Sequence, residues 1–220
     1  MTDDTPSPAS GPYADLIDFV WRRVGALHRG LAHSSTGAAA DLAHLRTSVG
    51  SDAASDPRVW RIVYTDFPPA FLGRGDAASP AESAVHATLG LFAVHQQSRS
   101  ESMHRRGVGF GRAAQRLATD SGSDAAVRRR FEAVATAVDL REVLHHARGL
   151  VTQMSARRIP LDYGLLASDL IQLQNPERRS AVLRRWGREY YTRPDPTTPT
   201  DEHSSTTTSA DTSLENGTDQ

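Results

Sequence analysis

Residues 140 to 191, LREVLHHARGLVTQMSARRIPLDYGLLASDLIQLQNPERRSAVLRRWGREYY, repeat apolar positions every three or four residues between two proline signals. That pattern predicts three consecutive helices joined by short turns. In the first, Leu140, Val143, Leu144, Ala147, Leu150, Val151 and Met154 fall on one face. Arg158-Ile159-Pro160 ends it, because proline has no amide to donate and restricts the residue before it. Asp162 is placed to cap a second helix, with Leu166, Leu170 and Leu173 facing inward. Asn175-Pro176 opens a third, whose inner face is Val182, Leu183, Trp186 and Tyr190. The outward positions carry Arg141, Arg148, Arg178, Arg179, Arg184, Arg185 and Arg188, so the expectation is a helical scaffold with an arginine coat.

The same period recurs upstream. Tyr13, Leu16, Ile17, Val20, Val24, Leu27 and Leu31 stripe a helix over about 13–33, with Arg22 and Arg29 on another face. Residues 37–49 read as a short helix with Leu42, Leu45 and Val49 buried and Arg46 beside them. Asp56-Pro57 opens RVWRIVYTDF, which Pro68-Pro69 stops. After a loop with Gly73, Gly75 and Pro80, AESAVHATLGLFAVHQQ reads as the central apolar helix. Ser123-Asp124 is placed to cap AAVRRRFEAVATA, where Val127, Phe131, Val134 and Val138 form the buried stripe and Arg129 points outward with Arg128 flanking it.

No stretch shows the period-two alternation of a strand. The fold class is therefore all-α, a helical bundle of about eight or nine helices over residues 12–194, divisible into lobes at about 12–98 and 107–194. Residues 1–11 and 195–220 are rich in Ser, Thr, Asp and Pro. They cannot bury enough apolar surface to offset ordering entropy, so both are expected to be disordered tails.

Several chemistries are missing. With no cysteine, disulfides, thiolate metal sites and thiol nucleophiles are excluded. All 25 basic residues are arginine, as a GC-rich genome produces, which removes the lysine of a Walker phosphate loop and Schiff-base chemistry. Of the nine histidines, His145 and His146 are adjacent and expected to diverge on a helix, and His28 and His33 are poorly spaced for one face. No HExxH or GxSxG motif occurs, and no metal or cofactor is implied. No apolar run approaches the ~20 residues of a membrane span and no signal-peptide pattern opens the chain, so a soluble, cytoplasmic protein is expected.

The net charge of −1 hides an uneven distribution. Residues 1–98 carry 7 Arg against 10 Asp or Glu, residues 99–193 carry 18 against 10, and residues 194–220 none against 6. A basic body followed by an acidic tail points to polyanion binding, with the tail as a solubility segment or an electrostatic competitor for the basic face. The most informative polar stretch is SRSESMHRRGVGFGRAAQR, residues 98–116. Its glycines are spaced GxGxG and Arg112 stands where a dinucleotide fingerprint needs glycine, with no strand before it. It reads instead as a flexible basic loop entering a helix at about residue 109. Arg112 and Arg116 then share one face while Phe110, Ala113, Ala114 and Leu117 turn to the core. The positive helix end and its glycine-freed amides are expected to favour phosphate.

Taken in order, the segments ADLAHLR (40–46), LFAVHQQS (91–98), VGFGRAAQRLA (108–118), RRRFEAV (128–134), LHHARGLV, IPLDYGLLASDL and VLRRWGREYY resemble the CasB family, the small subunit of the type I-E CRISPR Cascade surveillance complex of antiviral defence. The resemblance covers residues 13–193. It implies an all-helical, non-enzymatic subunit present as a second copy of itself beside the Cascade backbone and large subunits. It also implies contact with guide RNA and target DNA, where a basic face stabilises the R-loop, both the target strand and the displaced strand. Sequence is then read by the guide, and the protein needs only the nucleic-acid backbone. The family's basic positions fall here on Arg46, Arg99, Arg105, Arg106, Arg112, Arg128 and Arg129, and helical periodicity adds Arg116 and Arg148. The family often uses lysine in the loop after the HQ segment, where this chain has arginine; a guanidinium grips phosphate bidentately. Phe110, Phe131 and Trp186 fit the core pattern, which leaves aromatic stacking a lesser part. The alternatives are a helical DNA-binding transcriptional regulator, which needs a compact helix-turn-helix not evident in the chain, and a metal-dependent helical hydrolase.

Overall fold

The computed structural model describes residues 11–52, 55–122 and 124–192. Among them stand nine α-helices: α1 (Ala14–Ala32), α2 (Thr36–Thr47), α3 (Pro57–Tyr64), α4 (Pro80–His95), α5 (Phe110–Ser121), α6 (Asp124–Thr136), α7 (Leu140–Ala156), α8 (Tyr163–Leu173) and α9 (Pro176–Tyr191). A short 3-10 turn covers Pro69–Phe71, and the only strand-like pairing among the described residues is an isolated parallel bridge between His104 and Leu161. The all-helical expectation holds. The segments expected to be tails lie outside the described residues apart from Gly11, and so does Ser123, the expected cap of α6.

Helix starts follow local chemistry. Ser35, Asp56, Ser79, Asp139, Asp162 and Asn175 each accept a hydrogen bond from a first-turn amide. At α4 the Glu82 carboxylate reaches back to accept from the Ser79 amide (2.7 Å) and also from the Gly73 amide (2.9 Å), which fastens the preceding loop. From Ala81 to His95 every α4 residue except Ser83 is buried, as a helix apolar all round requires. Helices α2, α7 and α8 pack around it. A Cβ at Gly90 would lie 2.5 Å from Val49 Cγ2 and 3.1 Å from the Leu45 carbonyl, so this glycine sets how closely α2 crosses α4.

A second group forms where α5 packs on α9 and α6 on α7. Phe110 meets Trp186 with ring centroids 4.7 Å apart, and Phe131 stacks on Tyr190 at 4.6 Å. One continuous hydrophobic core runs from Leu16 through α4 to Tyr190. No helix among the described residues is long and apolar enough to cross a membrane.

Two expectations are corrected here. Val138 is 88% exposed, because α6 ends at Thr136 and the chain turns before the period reaches it; Ala137 is buried instead. The arginine coat of α9 is partly structural. Arg179 donates to the Leu173 and Ala137 carbonyls, tying α9 to the ends of α8 and α6. Arg185 pairs with the buried Asp169 of α8, whose other oxygen accepts from the Trp186 indole at 2.6 Å.

Buried titratable groups give the fold a pH dependence. His95 has no exposed surface, its Nδ1 lies 2.7 Å from the Tyr163 hydroxyl, and burial pushes its pKa down from 6.5 to about 4. A depressed histidine stabilises the fold while neutral, so its contribution is intact above pH 6.5 and is lost as pH falls towards 4. The loss is about 2 kcal/mol by pH 5. Burial shifts His86 and His104 in the same direction. Asp169 acts oppositely, since burial raises its carboxyl from 3.8 to about 7 and its ionisation costs stability as pH rises across that range. Urea denaturation at pH 7 and pH 5 therefore isolates His95 by comparison with His95→Gln, which is expected to lose less stability on acidification. Equal losses in the two proteins would contradict the assignment.

Candidate nucleic-acid interface

The loop between α4 and α5 carries three of the candidate arginines, and it is firmly held. Gln96 is buried and donates through Nε2 to the carbonyls of Arg99 (3.0 Å) and Glu101 (2.8 Å), while its Oε1 accepts from the Met103 amide (3.0 Å). Leu161 and Asp162 pair with the backbone of Met103, Arg105 and Val108. The Asp162 side chain accepts from the Gly107 amide (2.7 Å), the Trp21 indole (2.7 Å) and the Gly164 and Leu165 amides that begin α8 (2.9 and 3.1 Å). The expected flexible loop is thus a pinned one, and one buried carboxylate joins it to α1 and α8.

The expected phosphate site at the start of α5 is filled by the protein itself. Glu189 of α9 accepts from the amides of Gly111 (3.1 Å) and Arg112 (3.4 Å). A Cβ at Gly109 would lie 2.6 Å from the Glu189 carboxylate, and one at Gly111 would meet the Trp186 carbonyl and lie 2.8 Å from Glu189 Cβ. These glycines let α9 cross closely over α5, and the carboxylate takes the amides that an anion would need.

The nine candidate arginines fall into three groups and one outlier. Arg46, Arg99 and Arg148 surround the C-terminal end of α4. Arg46 is half-buried with Nη1 3.4 Å from the Ala93 carbonyl, and Arg99 Nε lies 3.4 Å from Ser155 Oγ, which donates to the His95 carbonyl at 2.8 Å. Arg99 and the exposed Arg148 line one concavity of about 340 Å³ with Gln97 and Thr152. Arg105, Arg112 and Arg116 form the second group. Burial, then the positive charges of Arg105 and Arg112, push the Arg116 guanidinium below its usual value, with Asp120 pulling the other way. Arginine keeps its charge regardless, so three cations remain close together. Arg112 Nη1 also donates to the Thr192 carbonyl at 3.0 Å.

Arg128 and Arg129 stand exposed on α6, with Arg128 4.0 Å from Glu132. Arg106 is the outlier. Its guanidinium sits over the Trp21 ring, 3.9 Å from the centroid, which fixes the loop to α1. Among the described residues, Arg46, Arg99, Arg105, Arg112, Arg116, Arg129 and Arg148 make no ion pair within 4.0 Å.

Sequence reasoning missed Arg157, whose Nη1 donates to the Asp120 carbonyl (2.9 Å) and places a cation at the C-terminal end of α5. It also missed Glu189, which is 78 residues from Gly111 and has no local signature. The rings of His145 and His146 meet edge to face at 5.1 Å instead of diverging. No group of three or more His, Asp or Glu among the described residues is placed to hold a metal ion.

The profile of the CRISPR-associated protein Cse2 family matches residues 41–191. The chain is similar to the crystal structure of CasB from Thermobifida fusca, with a TM-score of 0.68 and 32% identity over 84% of this chain and 100% of that one. It is similar to a CRISPR-associated protein of the Cse2 family from Thermus thermophilus, with a TM-score of 0.58 and 26% identity over 83% of this chain and 99% of that one. A chain of a CRISPR RNA-guided surveillance complex shares the fold at a TM-score of 0.61 and 24% identity, over 80% of this chain and 92% of that one. No curated protein matches the chain in sequence. With a profile match over more than half its length and the same helical architecture, the chain belongs to the CRISPR-associated Cse2 family.

Proposed function

We propose that this chain is the non-catalytic small subunit of a type I-E CRISPR Cascade complex and acts in the cytoplasm. In this reading it sits beside a second copy of itself, the backbone subunits and the large subunit. It holds the R-loop by gripping nucleic-acid backbone, guide RNA and both DNA strands included, without sequence preference. The observation that carries the reading is the pair of arginine groups, Arg46–Arg99–Arg148 and Arg105–Arg112–Arg116, on the Cse2 fold and without ion pairs among the described residues. Guanidinium groups left without carboxylate partners retain their charge for phosphate, and each phosphate neutralised releases condensed counterions. The backbone is the same at every target, so such contacts add retention without bias while base pairing reads the sequence.

Salt dependence tests this directly. For guide-loaded complex containing this chain, replacing Arg112 and Arg116 together by Ala is expected to make the slope of log affinity against log salt shallower by about 1.4, about 0.7 for each single-strand phosphate that is no longer neutralised. An unchanged slope, with the variant still incorporated, would remove these two residues from the interface.

A further inference from the structure

The ends of α5, α6 and α9 enclose a concavity of about 310 Å³ lined by Gln115, Thr119, Asp124, Arg128, Tyr190 and Tyr191. Tyr191 is 62% exposed, yet its ring is held at both ends. It packs edge-on against Tyr190, with centroids 4.9 Å apart and planes at 70°, and its hydroxyl donates to Glu132 of α6 at 3.3 Å. Tyr190 is fixed in turn. Its ring lies 12° from parallel with Phe131, and its hydroxyl donates to Asp124 at 3.3 Å. An aromatic surface already immobilised in this way loses little conformational entropy when a flat ligand covers it.

The charges of the notch select what it accepts. Asp124 and Glu132 repel a phosphate, whereas Arg128 and the Gln115 amide supply donors, and Asp124 and Thr119 supply acceptors. A nucleobase offers a π face together with ring acceptors and exocyclic N–H donors, which fits that mixture. The notch also adjoins the arginines. Arg112 reaches the carbonyl of Thr192, the residue after Tyr191. On α5, Arg112, Gln115, Arg116 and Thr119 occupy positions i, i+3, i+4 and i+7, so the cations and the notch share one helix face.

We propose that this notch is a base-stacking subsite for single-stranded nucleic acid: a strand gripped through its phosphates by Arg112 and Arg116 lays one unpaired base on Tyr191. The inference rests on the backbone-gripping reading above. In an R-loop the displaced strand offers unpaired bases along its length. Stacking on aromatic rings adds affinity without sequence preference, since every base has a π face.

The test uses the full-length chain at low ionic strength and two short single-stranded DNA oligonucleotides, one normal and one abasic throughout, with identical phosphates. Wild type is expected to bind the normal oligonucleotide about tenfold more tightly. Tyr191→Ala is expected to erase that preference, Tyr191→Phe to keep it, and the Arg112→Ala/Arg116→Ala variant to weaken both oligonucleotides alike. Equal affinity of wild type for the two oligonucleotides would overturn the stacking site while leaving the arginines in place. A preference retained by Tyr191→Ala would overturn it as well. A preference lost in Tyr191→Ala with no effect of the arginine variant would keep the base site and refute backbone gripping by that pair. Failure of wild type to bind either oligonucleotide would count against both.

Discussion

Replacing Asp162 by Ala is expected to lower stability by about 4 kcal/mol, the sum that follows when a buried acceptor of several amides and an indole is deleted. The side chain is 1% exposed and serves four donors on three segments: Trp21 of α1, Gly107 of the basic loop, and Gly164 and Leu165 at the start of α8. Truncation removes an N-cap, which accounts for about 1 kcal/mol. The remaining cost comes from donors left buried without partners. The damage is local before it is global. Without Asp162 the loop from Ser98 to Gly109 keeps its Gln96 anchors and the Arg106 contact with Trp21, but it loses the carboxylate that links Gly107 to the indole, and the indole under Arg106 is no longer fixed. Hydrogen exchange at the Gly107 amide is expected to accelerate well beyond the global effect, and the urea midpoint to fall. Asp162→Asn keeps acceptor capacity and is expected to lose about half as much. A near-native midpoint for Asp162→Ala, with Gly107 still protected, would contradict the role given to this carboxylate.

Gly111→Ala is expected to cost about 3 kcal/mol, the range of overpacking at a site that cannot yield. The new methyl would collide with the Trp186 backbone carbonyl, which no side-chain rotation relieves, and would lie 2.8 Å from Glu189 Cβ. Helix α9 must then move off α5, withdrawing Glu189 from the Gly111 and Arg112 amides and loosening the packing of Phe110 on Trp186. Gly149 and Gly187 provide the control. They also lie within helices, α7 and α9, but a Cβ there meets nothing within 4 Å. Alanine at either is expected to be neutral or to stabilise by about 0.5–1 kcal/mol, because glycine disfavours a helix interior. Thermal denaturation of the three variants checks the contrast, and similar shifts in all three would show that close packing of α5 on α9 is not what Gly111 serves.

The helices were legible in the sequence because their causes are local. Proline at a first turn, a Ser, Asp or Asn cap and a three-to-four period placed α4, α7, α8 and α9 to within a few residues. Val138 failed because period alone does not say where a helix stops, and no strong stop signal marks Thr136. Arg179 and Arg185 sit where spacing puts solvent, but spacing cannot reveal carbonyl ends or a buried Asp169 contributed by neighbouring helices. The grouping of Arg99 with Arg148, and the carboxylate of Glu189 on the first turn of α5, depend on tertiary crossings with no short-range trace. Tyr191 was not legible in the sequence. Adjacent residues on a helix point about 100° apart, yet pairs such as Val143–Leu144 and Leu150–Val151 are both buried, so the burial of Tyr190 does not by itself place its neighbour.

The most direct measurement is the lifetime of an R-loop on a supercoiled target, formed by guide-loaded complex assembled with and without this chain. Omission is expected to shorten the lifetime by an order of magnitude or more, with wild type restoring it and the Arg112→Ala/Arg116→Ala variant incorporating without restoring it. An R-loop equally long-lived without the chain, or restored in full by the arginine variant, would contradict the claim that these arginines hold the strands.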